Sequence, residues 1–216
     1  MTRTLVVGGS RGTGLEVCRI ATARGHFVRS MSRANQRANS PSKNFETFCG
    51  DALKADDVSR ALEGVDVVVQ ALGVPQSLDF IVKPVTLFSK ATRVLLPAMK
   101  QAGINKLVCV TGFGAGDSRD AINFLQRPAF ELIFRYAYDD KSIQERLIEE
   151  SDMEWLIVRP GVLMNWPTTG KYTVLTRPKE WRNGVVARAD VADFIVKRIE
   201  ADTLNKEKPV IIRYPL

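Results

Sequence analysis

Thr4-Leu5-Val6-Val7-Gly8-Gly9-Ser10-Arg11-Gly12-Thr13-Gly14, residues 4–14, is the stretch on which the fold turns. Its apolar run ends abruptly in glycines, and Leu15, Cys18 and Ala21 then recur at helical spacing until Gly25. A buried strand that stops in a glycine cluster and opens an amphipathic helix meets three physical demands of a phosphate site. The turn must be tight, the backbone must allow a pyrophosphate to approach, and the helix must start close to the sheet. Free N–H groups and the positive end of the helix dipole supply the attraction.

The rest of the chain repeats this alternation of strand and helix. Phe27–Met31, Phe45–Cys49, Val65–Gln70, Leu107–Val110, Trp155–Val158 and Val210–Ile212 read as further strands. Leu87, Ala91, Val94, Leu95, Ala98, Met99 and Ala102 form one stripe of a long helix stopped by Gly103. Runs that are apolar throughout are buried on both faces, as in a parallel sheet between two helical layers. Strand and helix in alternation imply right-handed crossovers. The expected fold is therefore α/β: a doubly wound, mostly parallel sheet of the Rossmann type, forming one domain over residues 1–216. Pro167, Gly170, Pro178 and Gly184 interrupt the rhythm, so residues 161–188 are expected to form a small lobe over the substrate side, with a short strand at Lys171–Thr176.

Composition narrows the function. The chain has 216 residues, 45% hydrophobic and 25% charged, enough for a sizeable core. No stretch approaches the roughly 18 apolar residues of a membrane span, and the N-terminus lacks the pattern of a signal peptide. Cys18, Cys49 and Cys109 stand at no metal-ligand spacing and read as reduced core thiols in a cytoplasmic protein. A single histidine, His26, leaves no material for a His-based metal site or a Ser-His-Asp triad. The net charge of +7 is dispersed, without a run of five like charges, so neither nucleic acid nor membrane is an expected partner.

In a doubly wound sheet the ligand lies beyond the carboxyl ends of the strands, at the switch point after the first strand. That places Gly8, Gly9, Ser10, Arg11, Gly12, Thr13 and Gly14 against a dinucleotide. An NAD site usually carries an acidic residue at the end of the second strand. This chain reads Arg29-Ser30-Met31-Ser32-Arg33 there, so Arg33 and Arg11 are expected to face a 2′-phosphate and NADP(H) is the expected cofactor. Asp51, after the third strand, lies where the adenine edge would pass and is also placed to cap the next helix.

VVGGSRGTG at 6–14, GD at 50–51, ALG at 71–73, VCVTGFGAG at 108–116 and WLIVRPGVL at 155–163 together resemble the atypical short-chain dehydrogenases/reductases. Within that superfamily they resemble the NAD(P)-binding branch of the flavin reductase-like and NmrA-like proteins. DDKSIQERLIEES at 139–151, PTTGKYTV at 167–174 and ARADVADFIV at 187–196 extend the likeness over nearly the whole chain. The resemblance implies cofactor contacts from Ala52, Ala71, Leu72, Gly73 and Pro160, besides the loop. It also implies roles for Thr111, after the fifth strand, and for Lys141 at the nicotinamide ribose, with Tyr138 beside them.

The superfamily's acid/base pair is a Tyr with a Lys four residues on, which share one helical face. Here Tyr138 precedes Lys141 by three residues and Tyr136 by five, so the pair is missing. Members without it pass hydride to flavins, quinones or similar planar acceptors, where positioning dominates, or act as non-catalytic NADP(H)-binding sensors. The reductase reading calls for an apolar pocket, with Phe113, Phe124, Tyr138, Trp166 and Tyr172 as candidate walls. The expected partner is a small planar acceptor, and the expected state a monomer or weak homo-oligomer.

Overall fold

A computed structural model describes residues 1–33, 43–74 and 83–216. The chain runs through β1 (Arg3–Val7), α1 (Gly12–Ala23), β2 (Phe27–Ser32), β3 (Phe45–Cys49), α2 (Ala55–Ala61), β4 (Val67–Gln70), α3 (Leu87–Gln101), β5 (Lys106–Val110) and α4 (Arg127–Glu149). It continues through β6 (Glu154–Pro160), β7 (Val162–Met164), β8 (Thr173–Leu175), β9 (Gly184–Ala187), α5 (Arg188–Glu200), β10 (Val210–Ile212) and β11 (Tyr214–Pro215).

An eight-stranded sheet has the order β3-β2-β1-β4-β5-β6-β10-β8, and the strand order reverses direction at β1. All its pairings are parallel except β8 with β10. The two-residue period of β1 feeds two separate cores. Val6 packs with Val17, Cys18 and Ala21 of α1 and Val191, Phe194 and Ile195 of α5. Leu5 and Val7 point the other way, onto Val58 and Leu62 around α2 and Leu95 and Met99 of α3. Side chains of this size each contribute roughly 1.5–3 kcal/mol when fully buried. That two-sided burial is the physical basis of the α/β doubly wound fold that the apolar runs imply.

A second sheet, β11-β9-β7, stands beside the main one within the region expected to be a lobe, together with the last strand of the chain. The expected strand at Lys171–Thr176 is the shorter β8, and the sequence reading missed β7, β9 and β11. These strands are two to four residues long, too short for alternation to show.

The reading also missed α4, the longest helix, for a different reason. Its apolar residues Leu132, Ile133 and Phe134 are exposed, while its buried positions include Asp140, Gln144 and Glu145. The buried face thus mixes these polar residues with Ala137 and Ile148, and periodicity misleads. One cysteine corrects the expectation of three core thiols: Cys18 and Cys109 are buried, but Cys49 is exposed on the edge strand β3.

Candidate functional site

The switch point of the sheet opens into a cavity of about 570 Å³ above the carboxyl ends of β1, β2, β4 and β5. Its floor is the glycine loop. Gly8 N donates to Met31 O at 2.9 Å and Ala71 N to Val7 O at 2.9 Å, which ties the loop to β2 and β4. Gly8 has φ +93°, and a Cβ there would lie 2.7 Å from the Ala71 carbonyl oxygen. A Cβ on Gly14 would lie 2.3 Å from the Gly8 carbonyl oxygen, so helix and loop meet closer than any side chain permits.

Helix α1 begins at Gly12, with Arg11 in extended conformation before it. No side chain caps this end and its first turn holds no acidic residue. Its N–H groups and positive dipole end are left for an anion. Arg11 and Arg33, both exposed, line the cavity, and neither has an ionic partner among the described residues. Asp51 also lines it, but the position before α2 is held by Lys54. The Asp51 carboxylate accepts from Leu53 N at 3.0 Å, and so shapes the turn instead of capping the helix.

The opposite wall carries the chemistry-bearing side chains. Thr111, at the end of β5, donates its hydroxyl to Glu145 Oε1 at 2.6 Å. Lys141 Nζ, from α4, donates to the Thr111 carbonyl and lies 4.8 Å from the centroid of the Phe88 ring. Burial pushes the Lys141 ammonium down to about 8, against the opposing pull of Cys109, Glu145 and Asp140. One turn on, Glu145 is 1% exposed and also accepts from Arg159 Nε at 3.0 Å and Nη2 at 2.6 Å. Arg159 is itself 0% exposed, pairs with Asp117 as well, and lies 5.0 Å over the Trp181 ring.

Helix α4 is held at this height by Asp140, whose carboxylate accepts from Phe88 N at 2.8 Å in the first turn of α3. Sequence reasoning missed the Glu145–Arg159 pair. The available signal was an arginine inside the apolar run WLIVRP and a glutamate four residues after Lys141 on the same helical face.

The residues expected from the sequence fall in three groups. Gly8, Ser10, Arg11, Gly12, Thr13, Arg33, Asp51, Ala52, Ala71, Leu72, Gly73, Thr111 and Lys141 all line the cavity. Gly9 and Gly14 lie beneath it as close-packing positions, and Pro160 lies within β6, where its carbonyl accepts from Phe113 N at 2.9 Å. Tyr138 stands outside the wall, its hydroxyl against Gly112 and its ring edge-on to Phe130 at 4.8 Å. Burial raises the Tyr138 phenol to about 12, with Glu145 adding to the shift.

None of the five aromatic candidates lines the cavity. Phe113 is buried in a small apolar cluster, Tyr172 packs on the α1–α5 core, and Phe124 and Trp166 face solvent. Leu163, Asn165 and Arg188 line it without having been expected, and they come from the segment around the second sheet.

The pattern of the NAD(P)H-binding family matches residues 8–202. The photosystem II assembly factor Ycf39 of Synechocystis is 26% identical over 97% of this chain, which spans only 62% of the length of that relative. Among solved structures, ChuY from Escherichia coli O157:H7, described as an anaerobillin reductase, is 26% identical with a TM-score of 0.82, covering 98% of this chain and 97% of that one. A short-chain dehydrogenase/reductase from Veillonella parvula, solved in complex with NADP, shares the fold at 11% identity, with a TM-score of 0.82 over 98% of this chain and 94% of that one. The residues present suit the dinucleotide: a loop with no room for Cβ atoms, an uncapped helix end, and guanidinium groups without carboxylate partners among the described residues.

Proposed function

The chain belongs to the NAD(P)H-binding family within the atypical short-chain dehydrogenases/reductases, and on that premise we propose that it is an NADPH-dependent reductase of a planar, conjugated acceptor. Flavins, quinones and linear tetrapyrroles are the acceptor classes of that shape. When bound, the dinucleotide supplies a hydride. The residues of the chain hold and orient it, with the glycine loop at the pyrophosphate, Arg11 and Arg33 at the 2′-phosphate, and Lys141 at the nicotinamide ribose.

The observation that carries the reading is the Thr111–Lys141 wall. Lys141 reaches the Thr111 carbonyl, while Tyr138, three residues earlier, is turned toward Gly112 and outside the cavity. Without a tyrosine beside the reacting atoms, ketone and alcohol chemistry lacks its proton donor. An acceptor whose own electronics favour reduction needs only to be positioned. Phe130, Phe134 and Tyr138 pack tilted and edge-on against one another along α4, with centroids 4.8–6.0 Å apart, so Tyr138 is engaged in ring packing. The similarity to ChuY supports the same class.

The likeness to Ycf39 favours a second reading, an NADP(H)-binding regulator without turnover. Mixing the protein with NADPH and, in turn, FMN, menadione or biliverdin separates the two. Oxidation of NADPH with any of the three supports the reductase. Tight NADPH binding with no oxidation supports the regulator. Three free thiols fit a cytoplasmic setting for either.

A further inference from the structure

Arg188 is the first residue of α5 and directly follows β9. β9 lies parallel to β7, with Met164 opposite Ala187, so Arg188 emerges beside Asn165. Its Nη1 donates to Leu163 O at 3.1 Å and to Asn165 Oδ1 at 2.6 Å. Both hydrogens of that nitrogen are thereby engaged, and the side chain is fixed in one direction. The opposite edge of the guanidinium, Nε and Nη2, has no acceptor among the described residues, and Arg188 has no carboxylate partner there. Nε lies 3.8 Å from where a Cβ on Gly12 would stand, so this free edge lies over the phosphate loop.

We propose that Arg188 clamps the pyrophosphate of the cofactor, from the side opposite Arg33. The free Nε–Nη2 edge is the planar fork that matches two phosphate oxygens, and a tether on the far nitrogen orients it before binding. The sheet order decides which phosphate it meets. Arg33 follows β2 on one side of β1, whereas Leu163 and Asn165 follow β6, beyond β4 and β5 on the other side. Arg188 therefore approaches from the Thr111–Lys141 end, away from the 2′-phosphate. The assignment rests on the glycine-loop cavity being the dinucleotide site.

Calorimetry with NADPH, NADH, ADP-ribose and adenosine 2′-monophosphate tests it without turnover. Arg188→Met is expected to weaken NADPH, NADH and ADP-ribose by a common factor of about tenfold to hundredfold, the loss of one charge-assisted contact. Adenosine 2′-monophosphate, which has no pyrophosphate, should bind as before. Arg33→Met should do the reverse, weakening NADPH and adenosine 2′-monophosphate but not NADH.

Unchanged NADH binding by Arg188→Met, or a loss confined to NADPH, overturns the clamp while a normal Arg33→Met result leaves the site in place. If neither arginine matters, the location of the site itself is wrong. Arg188→Lys keeps the charge without the fork and should recover only part of the loss. NADH binding by Arg188→Lys equal to that of the unmodified protein also overturns the proposal, even should Arg188→Met fail to fold.

Discussion

At one end of the cavity the glycine loop presents backbone amides and arginines that no carboxylate among the described residues neutralises. At the other, Lys141 donates to the Thr111 carbonyl, and the Thr111 hydroxyl leans on Glu145, a buried carboxylate already held by a buried arginine. The first end is open electrostatically and, as the proposed dinucleotide site, would gain its counter-charge from a ligand. At the second, the Glu145 charge is matched by Arg159 before anything binds, and Lys141 is the charge left over. An anion site works by leaving donors unsatisfied, whereas a wall that must hold a ring in place works by satisfying them. The two ends should therefore fail differently when disturbed.

The largest effect belongs to the loop. Gly14→Val places side-chain atoms where a single Cβ would already stand 2.3 Å from a backbone oxygen that cannot move without displacing β1. Loss of nucleotide binding, or of folding itself, is expected, read by calorimetry alongside circular dichroism. A folded Gly14→Val protein with unaltered NADPH affinity would remove the loop from the site.

Next comes the opposite wall, where stability and not binding should suffer first. Glu145→Ala leaves the Arg159 guanidinium buried beside only the half-exposed Asp117. Breaking one partner of a buried ion pair costs about 3–5 kcal/mol, so the urea midpoint should fall steeply. Glu145→Gln, which keeps acceptor and shape, should lose less. If Glu145→Ala unfolds at the same urea concentration as the unmodified protein, the pair is not what holds Thr111 and α4 in register.

The same contrast explains what could be read from the sequence. The loop is contiguous, and its conformational demands fall on residue types that betray them: Gly8 and Gly12 take positive φ, and Gly9 and Gly14 leave no room for a Cβ. The strands of the main sheet show as apolar runs because both faces are covered. The wall is assembled from residues 111, 141, 145 and 159, whose relation exists only after α4 has packed. Its buried face carries Asp140, Gln144 and Glu145 between Ala137 and Ile148, so the hydrophobic pattern that reports most helices hides this one. Arg188 escaped for a related reason: it looks like an ordinary helix-start residue until β9 brings it to β7. Aromatic residues misled in the opposite direction, since a ring in a sequence reveals nothing of whether it faces a cavity, a core or solvent.

The cofactor end should also discriminate between nucleotides, with a smaller effect. Each charge-assisted hydrogen bond from Arg11 or Arg33 to a 2′-phosphate contributes on the order of 1.5–3 kcal/mol, or roughly tenfold to hundredfold in favour of NADPH over NADH. Both arginines are exposed, so the preference should shrink as salt rises. Arg33→Asp should weaken NADPH far more than NADH, because a carboxylate repels the phosphate yet accepts from a free ribose hydroxyl. Equal affinities in the unmodified protein at low salt would leave these arginines without a role.

The smallest effect lies where the two ends meet, at Lys141, and its sign follows from burial. The ammonium is held down to about 8 from an ordinary value of 10.5, because the charged form is poorly solvated there. Below about pH 8 Lys141 is charged and, in the proposed placement at the nicotinamide ribose, would donate charge-assisted hydrogen bonds to its hydroxyls. Above it the amine is neutral and donates more weakly, a difference on the order of 1 kcal/mol, or about fivefold. NADPH affinity should therefore fall as pH rises through about 8. Lys141→Arg, which stays charged, should bind evenly across that range, and Lys141→Ala should bind a few-fold more weakly at pH 7 with no inflection. Stability of the free protein should move in the opposite direction. Between about 8 and 10.5 the folded state holds fewer protons than the unfolded one, so the burden of the buried charge is full below about 8 and is relieved as pH climbs. Lys141→Met should accordingly stabilise the nucleotide-free protein near pH 7 and lose that advantage toward pH 10.5. Nucleotide titrations at stepped pH, with urea unfolding of the same samples, check both slopes. Parallel pH profiles for Lys141→Arg and the unmodified protein would assign the titration to another group and leave Lys141 as a packing residue of α4.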